Sequence, residues 1–92
     1  MERVLPNDVK PYAKSPVFTA ETVPDNLTSD HSLKAGTWGL LTVEHGDVTY
    51  FTKGQDAPVA TLGTGDTFVI HPQELHYVRL TKDAVFFVEF HR

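Results

Sequence analysis

Two histidines of this chain stand at the ends of predicted β-strands, in positions from which a small barrel could bring both to one metal ion. His31 precedes a strand expected over residues 38–44, and His76 begins a strand expected over residues 76–80. Alternation along the second strand puts His76 on the same face as Val78 and Leu80, which predicts an inward imidazole. An inward imidazole needs a partner, either a metal ion or a backbone carbonyl, and a metal ion at this place would take His31 and His76 as its first two candidate ligands.

Glu89 is predicted to be the third metal ligand. It lies in the apolar run of the last expected strand, residues 84–91. A carboxylate buried there without a partner would be costly, so it is expected to bind a metal, form a hydrogen bond or lie at an exposed edge. The alternative is that Glu89 forms an ion pair with Lys34 or Arg79, and the sequence favours neither reading.

Other side chains near these positions are secondary candidates for the metal site. His91 is a candidate fourth ligand, although residues so near a terminus are often solvated. Glu74 and His71 lie in the turn before His76, where an outward orientation is the simpler expectation. If a water completes the metal site, a nearby carboxylate or Lys34 could serve in proton transfer or hold an anionic ligand.

This set of donors indicates which metal the site would take. Two histidines and a carboxylate with open coordination positions suit Zn²⁺ as a Lewis acid or Fe²⁺ in an oxygenase-type site, and Mn²⁺ is also compatible. The sequence therefore predicts a divalent metal ion, zinc or iron. Because the chain has no cysteine, thiolate ligands, disulfides and thiol chemistry are excluded. No residue is assigned a catalytic role, and no binding motif for an organic cofactor is predicted.

Composition narrows the classes of partner and compartment. The 92 residues carry a net charge of −4 without runs of either sign, so there is no basic patch for nucleic acid. No stretch approaches the roughly 18 apolar residues of a membrane span, and the first residues lack the apolar core of a signal peptide. We therefore expect a cytoplasmic protein that binds neither nucleic acid nor membrane. Residues 1–92 are expected to form a single domain, because two cores would leave each half too small.

Strand and turn signals predict an all-β fold with little helix. Prolines at positions 6, 11, 16 and 24 leave no room for an ordinary helix in the first quarter, so residues 1–14 are predicted to form an extended arm. We expect this arm to cross to the sheet edge of a second copy in a homodimer. A hairpin is expected around Gly46, between residues 38–44 and 48–52. The other expected strands are residues 17–23, 59–62, 67–70, 76–80 and 84–91.

Several motifs along the chain match a known pattern. In one of them, Gly65-Asp66-Thr67 starts a strand and Pro72 lies in the turn that presents His76. The matching positions elsewhere are Pro16-Val17-Phe18-Thr19, Thr22-Val23-Pro24, His31 with Lys34, Gly36-Thr37-Trp38-Gly39, Leu41-Thr42-Val43, Gly46 and Val88-Glu89-Phe90-His91-Arg92. Together they resemble the small cupin family related to the N-terminal domain of the tellurite-resistance protein TehB and to YeaR. The resemblance implies a cupin-like double-stranded β-helix, or jelly-roll barrel, with His31 and His76 as metal ligands.

The resemblance departs from the cupin pattern at the metal site. The cupin pattern implies a glutamate seven residues before Gly46, where this chain has Gly39, and Leu33 stands where a second histidine would be sought. The usual set of three histidines and one glutamate is therefore absent. TehB carries a methyltransferase domain after its cupin, and the resemblance does not extend to it, so methyl transfer is not expected within these 92 residues.

Two hypotheses for the function follow from this reasoning. The first is a metal-dependent binding module whose ion holds a small oxyanion or metabolite, consistent with a family linked to tellurite resistance. The second is a small metal-dependent enzyme of the oxygenase or isomerase type that acts on a small metabolite. A third reading is a structural barrel whose histidines are hydrogen-bonded core residues.

Overall fold

The computed structural model describes residues 3–92, which form an all-β fold with one short helix. The helix is a 3₁₀ turn at Asp25–Leu27, and no helix within residues 3–92 is long and apolar enough to cross a membrane. The all-β expectation is confirmed. The strands are β1 (Pro11–Lys14), β2 (Phe18–Thr19), β3 (Trp38–His45), β4 (Val48–Thr52), β5 (Ala60–Leu62), β6 (Thr67–Ile70), β7 (His76–Leu80) and β8 (Val85–His91).

These strands form two antiparallel sheets. The larger sheet has the order β1-β8-β3-β6, with β2 also paired to β8, and the smaller has the order β5-β4-β7. Within residues 3–92 the strand ladders do not continue from one sheet into the other, so the prediction of a closed barrel is wrong. The strands of the smaller sheet are only three to five residues long, and the two sheets meet through side chains rather than through a shared ladder.

The hydrophobic core lies between the sheets, because alternate residues of each strand face inward. In β3 the buried positions are Gly39, Leu41 and Val43, and in β4 they are Val48 and Tyr50. The larger set of buried core residues comprises Leu41, Val43, Val48, Tyr50, Leu62, Ile70, Val78, Ala84, Phe86 and Val88.

The expected hairpin around Gly46 is wrong, because β3 and β4 belong to different sheets. β3 pairs with β6 and β8, whereas β4 pairs with β5 and β7. Gly46 has φ of +72°, and a Cβ atom there would lie 2.7 Å from Ala84 Cα. The positive φ turns the chain from one sheet to the other at a point where the β8 segment packs against its backbone.

The N-terminal part of the chain lies along the larger sheet. β1 pairs antiparallel with β8 of the same chain, and Lys10 and Arg92 exchange backbone hydrogen bonds of 3.1 and 3.0 Å beyond it. The predicted arm therefore contains a strand, and its first two residues lie outside the described residues. The strand expected over residues 17–23 ends after Thr19, because the Thr19 amide donates to Thr22 Oγ1 at 2.8 Å and the chain turns.

Candidate functional site

His31 and His76 lie side by side. Their backbones exchange two hydrogen bonds of 2.9 Å, and their ring centroids are 4.2 Å apart in an edge-to-face arrangement. His76 begins β7 on its inner face and is only 2% exposed, whereas His31 comes from the segment that precedes β3. The convergence expected from the sequence is therefore present in the fold.

The hydrogen bonds of the two rings define what their free nitrogens can do. His76 Nδ1 lies 2.8 Å from the Glu74 carbonyl oxygen, and His31 Nδ1 lies 3.4 Å from the Ser29 carbonyl oxygen. A carbonyl can only accept, so each Nδ1 carries a proton, and in the neutral form of either ring Nε2 is an acceptor. Burial, followed by the nearby His31, lowers the pKa of His76, while its bond to Glu74 acts in the opposite direction. The neutral ring is therefore the native form.

A network of charged and aromatic side chains adjoins His76. Arg3 Nη1 and Nη2 donate to Glu74 Oε1 and Oε2 at 2.6 and 3.0 Å, and the Tyr50 hydroxyl donates to Glu74 Oε1 at 2.7 Å. The Tyr50 ring stacks on His76 with centroids 4.9 Å apart. Sequence reasoning missed Arg3 and Tyr50, and no local signal could have identified them, since Arg3 and Glu74 are 71 residues apart.

The contacts within this network determine the protonation states of Glu74 and Tyr50. Burial opposes ionisation of Glu74, but the hydrogen bonds from Arg3 and Tyr50 outweigh it and lower the pKa of the carboxyl. Burial, reinforced by the bond to Glu74, raises the pKa of the Tyr50 hydroxyl well above its ordinary value. Glu74 is thus a carboxylate and Tyr50 a neutral donor at neutral pH.

The remaining candidates occupy other positions. Glu89 Oε1 lies 2.9 Å from His91 Nε2, so Glu89 pairs with His91 rather than with Lys34 or Arg79. His71 Nδ1 lies 3.8 Å from Glu74 Oε2 at the rim of the network. Lys34 is exposed, and its carbonyl accepts a turn hydrogen bond from Thr37.

A cavity of about 200 Å³ adjoins His31. It lies between the segment that carries the short helix and the inner face of the larger sheet. Its lining is mostly apolar and consists of Ser15, Phe18, Pro24, Asn26, Leu27, His31, Leu33, Ile70, Val88 and Phe90.

Comparisons with known proteins place this arrangement in a family. Residues 13–88 match the TehB-like domain. The chain belongs to the TehB-like family. It is 29% identical over 83 residues to the probable S-adenosyl-L-methionine-dependent methyltransferase TehB of Haemophilus influenzae, in strain 10810 and equally in strain Rd. That match covers 86% of this chain, and the chain spans only 29% of the length of these relatives.

Two solved structures share the fold of this chain. The crystal structure of TehB from Haemophilus influenzae superposes with a TM-score of 0.73 and 26% identity, over 92% of this chain and 32% of TehB. A protein from Escherichia coli K12, solved in a structural genomics programme, superposes with a TM-score of 0.85 over 98% of this chain and 96% of its own, at 22% identity. The second likeness shows the fold alone.

The prediction of a metal-binding cupin, with zinc or iron as cofactor, is wrong for this TehB-like chain, and so is the alternative of a metal-dependent cupin enzyme. The relatives carry the name of a probable S-adenosyl-L-methionine-dependent methyltransferase. Within residues 3–92 no three His, Asp or Glu side chains converge where one cation could bind. Strand alternation explains the missing third ligand, because Glu89 faces away from its neighbours Val88 and Phe90, which line the cavity beside His31.

Gly39 explains why the chain departs from the cupin ligand set. A Cβ atom at this position would lie 3.2 Å from Leu33 Cδ1, 3.2 Å from Val88 Cγ1 and 3.3 Å from Ile70 Cβ. The space that a glutamate side chain would need is filled by these three apolar groups. In the TehB-like chain this part of β3 is packed as core. The assignment of His31 and His76 to a ligand-binding site stays a prediction.

His76→Gln is expected to flatten the acid side of the stability profile. Because folding lowers the pKa of His76, the unfolded chain takes up a proton near pH 6.5 while the folded chain does not. Stability is therefore complete above that pH and falls as the pH drops toward the folded value, by up to about 1.4 kcal/mol one pH unit lower. Urea unfolding at about pH 7.5 and 5.5 measures the difference.

The exposed histidine His45 supplies the control for this measurement. His45→Gln also removes one imidazole, but from a side chain that is 64% exposed. If His76→Gln keeps the wild-type loss of stability between the two pH values, the acid sensitivity does not come from the buried ring.

Proposed function

We propose that this chain is a small-molecule-binding domain of the TehB-like family, and that its ligand occupies the cavity beside His31. The cavity itself is the observation that carries the proposal. It has a volume of about 200 Å³, and eight of its ten lining residues, all except Ser15 and Asn26, present an apolar side chain or an imidazole. Apolar cavities of about 150 Å³ stay free of water and bind molecules the size of benzene.

The lining defines the chemistry of the ligand. Phe18, Leu27 and Phe90 favour an apolar or aromatic body. In its neutral form His31 offers Nε2 as an acceptor, since its Nδ1 faces the Ser29 carbonyl. A compact ring that carries one hydroxyl or N–H donor fits both features. Phenol is the simplest such probe.

S-adenosylmethionine, the cofactor in the names of the TehB relatives, does not fit this cavity. The molecule combines an adenosine, a cationic sulfonium and an amino acid, whereas drug-sized ligands occupy pockets of roughly 300–1,000 Å³. Among residues 3–92 no carboxylate lines the cavity to receive the ribose hydroxyls or the cation. We therefore derive no step of methyl transfer from these residues. The proposed role is binding that accompanies methyl transfer, with the methyl acceptor or a regulatory molecule as the ligand.

The proposal also covers the domain extent, the topology of the fold and its assembly. We propose that residues 1–92 form one domain and that the two facing sheets are the halves of a jelly roll. The antiparallel order of both sheets supports this assignment. A homodimer through the edge at β1 remains part of the proposal, supported by the exposed apolar side chains of Tyr12 and Val17 beside that edge.

Phenol is expected to bind wild-type protein and to bind Gly39→Ala at least about tenfold more weakly. The added methyl would press on Leu33, Ile70 and Val88, and each of these side chains lines the cavity. Methyl and amide NMR shifts during a phenol titration measure both the affinity and the location. The shifts should be largest at Leu33, Ile70 and Val88.

Gly54→Ala is the matched control, because nothing lies within 4 Å of a Cβ atom built there. It should bind phenol as wild type does. Equal affinity in Gly39→Ala, or shifts spread evenly over the surface, would contradict the proposed site.

A further inference from the structure

The guanidinium of Arg3 lies in a pocket formed by Glu74, the Val69 carbonyl and the rings of Tyr50 and Phe68. It donates two parallel hydrogen bonds to Glu74, and Nη1 makes a third, of 3.3 Å, to the Val69 carbonyl. Its Cζ lies 4.8 Å from the centroid of the Phe68 ring and 5.5 Å from that of Tyr50. A carboxylate fork beneath aromatic faces is the set of contacts that recognises a guanidinium.

The walls of this pocket are assembled without Arg3. Tyr50 lies in β4 and is fully buried, and Phe68 and Val69 lie in β6. The Tyr50 and Phe68 rings contact each other with centroids 4.6 Å apart. The Tyr50 hydroxyl holds Glu74 Oε1 in place at 2.7 Å. The carboxylate and both rings are therefore positioned by the core of the fold.

The segment that brings Arg3 into the pocket makes few backbone hydrogen bonds. Val4 is 69% exposed, and within residues 3–92 the backbone from Val4 to Val9 makes only one internal bond, a 3.4 Å contact from the Val9 amide to the Pro6 carbonyl. Backbone pairing with the larger sheet begins at Lys10, which exchanges hydrogen bonds with Arg92. A segment with so few bonds can open locally while the sheets stay folded.

We propose that this pocket is a binding site for small guanidinium cations, and that Arg3 is its internal occupant. When residues 3–9 lift away, Glu74, Tyr50 and Phe68 remain as a preformed receptor for another planar cation with the same donor fork. The tethered Arg3 competes with that cation and lowers its apparent affinity. The proposal is independent of the apolar cavity, which shares none of these three residues.

Arg3→Ala tests the proposal with methylguanidinium as the probe. The variant should lose stability, and millimolar methylguanidinium should raise its Tm in a saturable manner by about 5 °C or more, since a ligand that binds only the folded state stabilises it. Wild-type protein should respond at least about tenfold more weakly because Arg3 fills the site. If the variant is unfolded alone, recovery of its near-ultraviolet circular dichroism with methylguanidinium gives the same answer.

Two further variants identify the site. Arg79→Ala is the matched control, because Arg79 lies on the exposed face of β7 over Tyr77, with 5.3 Å from its Cζ to the ring centroid. It should not gain a response. Arg3→Ala combined with Glu74→Gln should lose the response of Arg3→Ala. The proposal is overturned if methylguanidinium neither stabilises nor refolds Arg3→Ala, or if it acts alike on all the variants.

Discussion

Gly46→Ala is expected to lower the free energy of unfolding by about 3 kcal/mol or more. We expect this to be the largest effect of any Gly→Ala substitution in this chain. The residue has φ of +72°, which disfavours any side chain by about 1–2 kcal/mol. In addition, the new Cβ would lie 2.7 Å from Ala84 Cα and 2.8 Å from Ala84 N. These are backbone atoms of the segment entering β8, so relief requires an inner strand of the larger sheet to move.

Gly54→Ala separates the two causes. Gly54 has a similar φ of +84°, but no atom of residues 3–92 would lie within 4 Å of a Cβ atom at this position. It should therefore show the cost of the backbone conformation alone. Thermal unfolding of both variants is the measurement, with about 4–8 °C of Tm expected per kcal/mol in a chain of this size. Equal losses at Gly46 and Gly54 would show that β8 does not constrain the crossing between the sheets.

Glu74→Gln is expected to be the most destabilising polar substitution, at about 2–3 kcal/mol at neutral pH. The side chain of Arg3 is 16% exposed and that of Glu74 is 22% exposed, so the pair is mostly shielded from water. The amide keeps the size of the carboxylate but leaves the guanidinium without a counter-charge. Removing one partner of a buried pair costs about 3–5 kcal/mol, and the remaining exposure of this pair reduces that value.

The same substitution should change the response to acid. The pKa of Glu74 is lowered on folding, so the folded state binds fewer protons there than the unfolded chain does. The contribution of the carboxylate is complete above the unfolded pKa, near 4.3, and is lost as the pH falls through the lower folded value. Glu74→Gln should lack this loss, which denaturant unfolding between about pH 6 and 3 measures.

Glu44→Gln provides the control for both effects, because Glu44 is exposed on β3. It should change stability by less than about 0.5 kcal/mol and keep the acid-dependent loss. A destabilisation by Glu74→Gln that is no larger than that of Glu44→Gln would show that the Arg3, Glu74 and Tyr50 contacts contribute little to the folded state.

The sequence by itself determined most of the strand positions. Residues 67–70 and 76–80 were expected as strands and are β6 and β7, because alternating apolar residues between glycine and proline turns are a local signal. The approach of His31 to His76 could also be predicted, although the prediction depended on a family resemblance. The length of strand β2 is smaller than the sequence predicts, because the turn from Thr19 to Thr22 ends the extended backbone.

Only the tertiary structure decided how these strands pair and which side chains meet. Nothing near Gly46 reveals that β3 continues into a sheet with β6 and β8, because strand pairing depends on the packing of the whole core. Arg3 reaches Glu74 across 71 residues of sequence, beyond any helical or strand periodicity. Position 39 has no free space for a side chain, because Leu33, Ile70 and Val88, from three separate segments, converge on Gly39. Local preferences extend over a few residues, whereas these contacts exist only once the two sheets face each other.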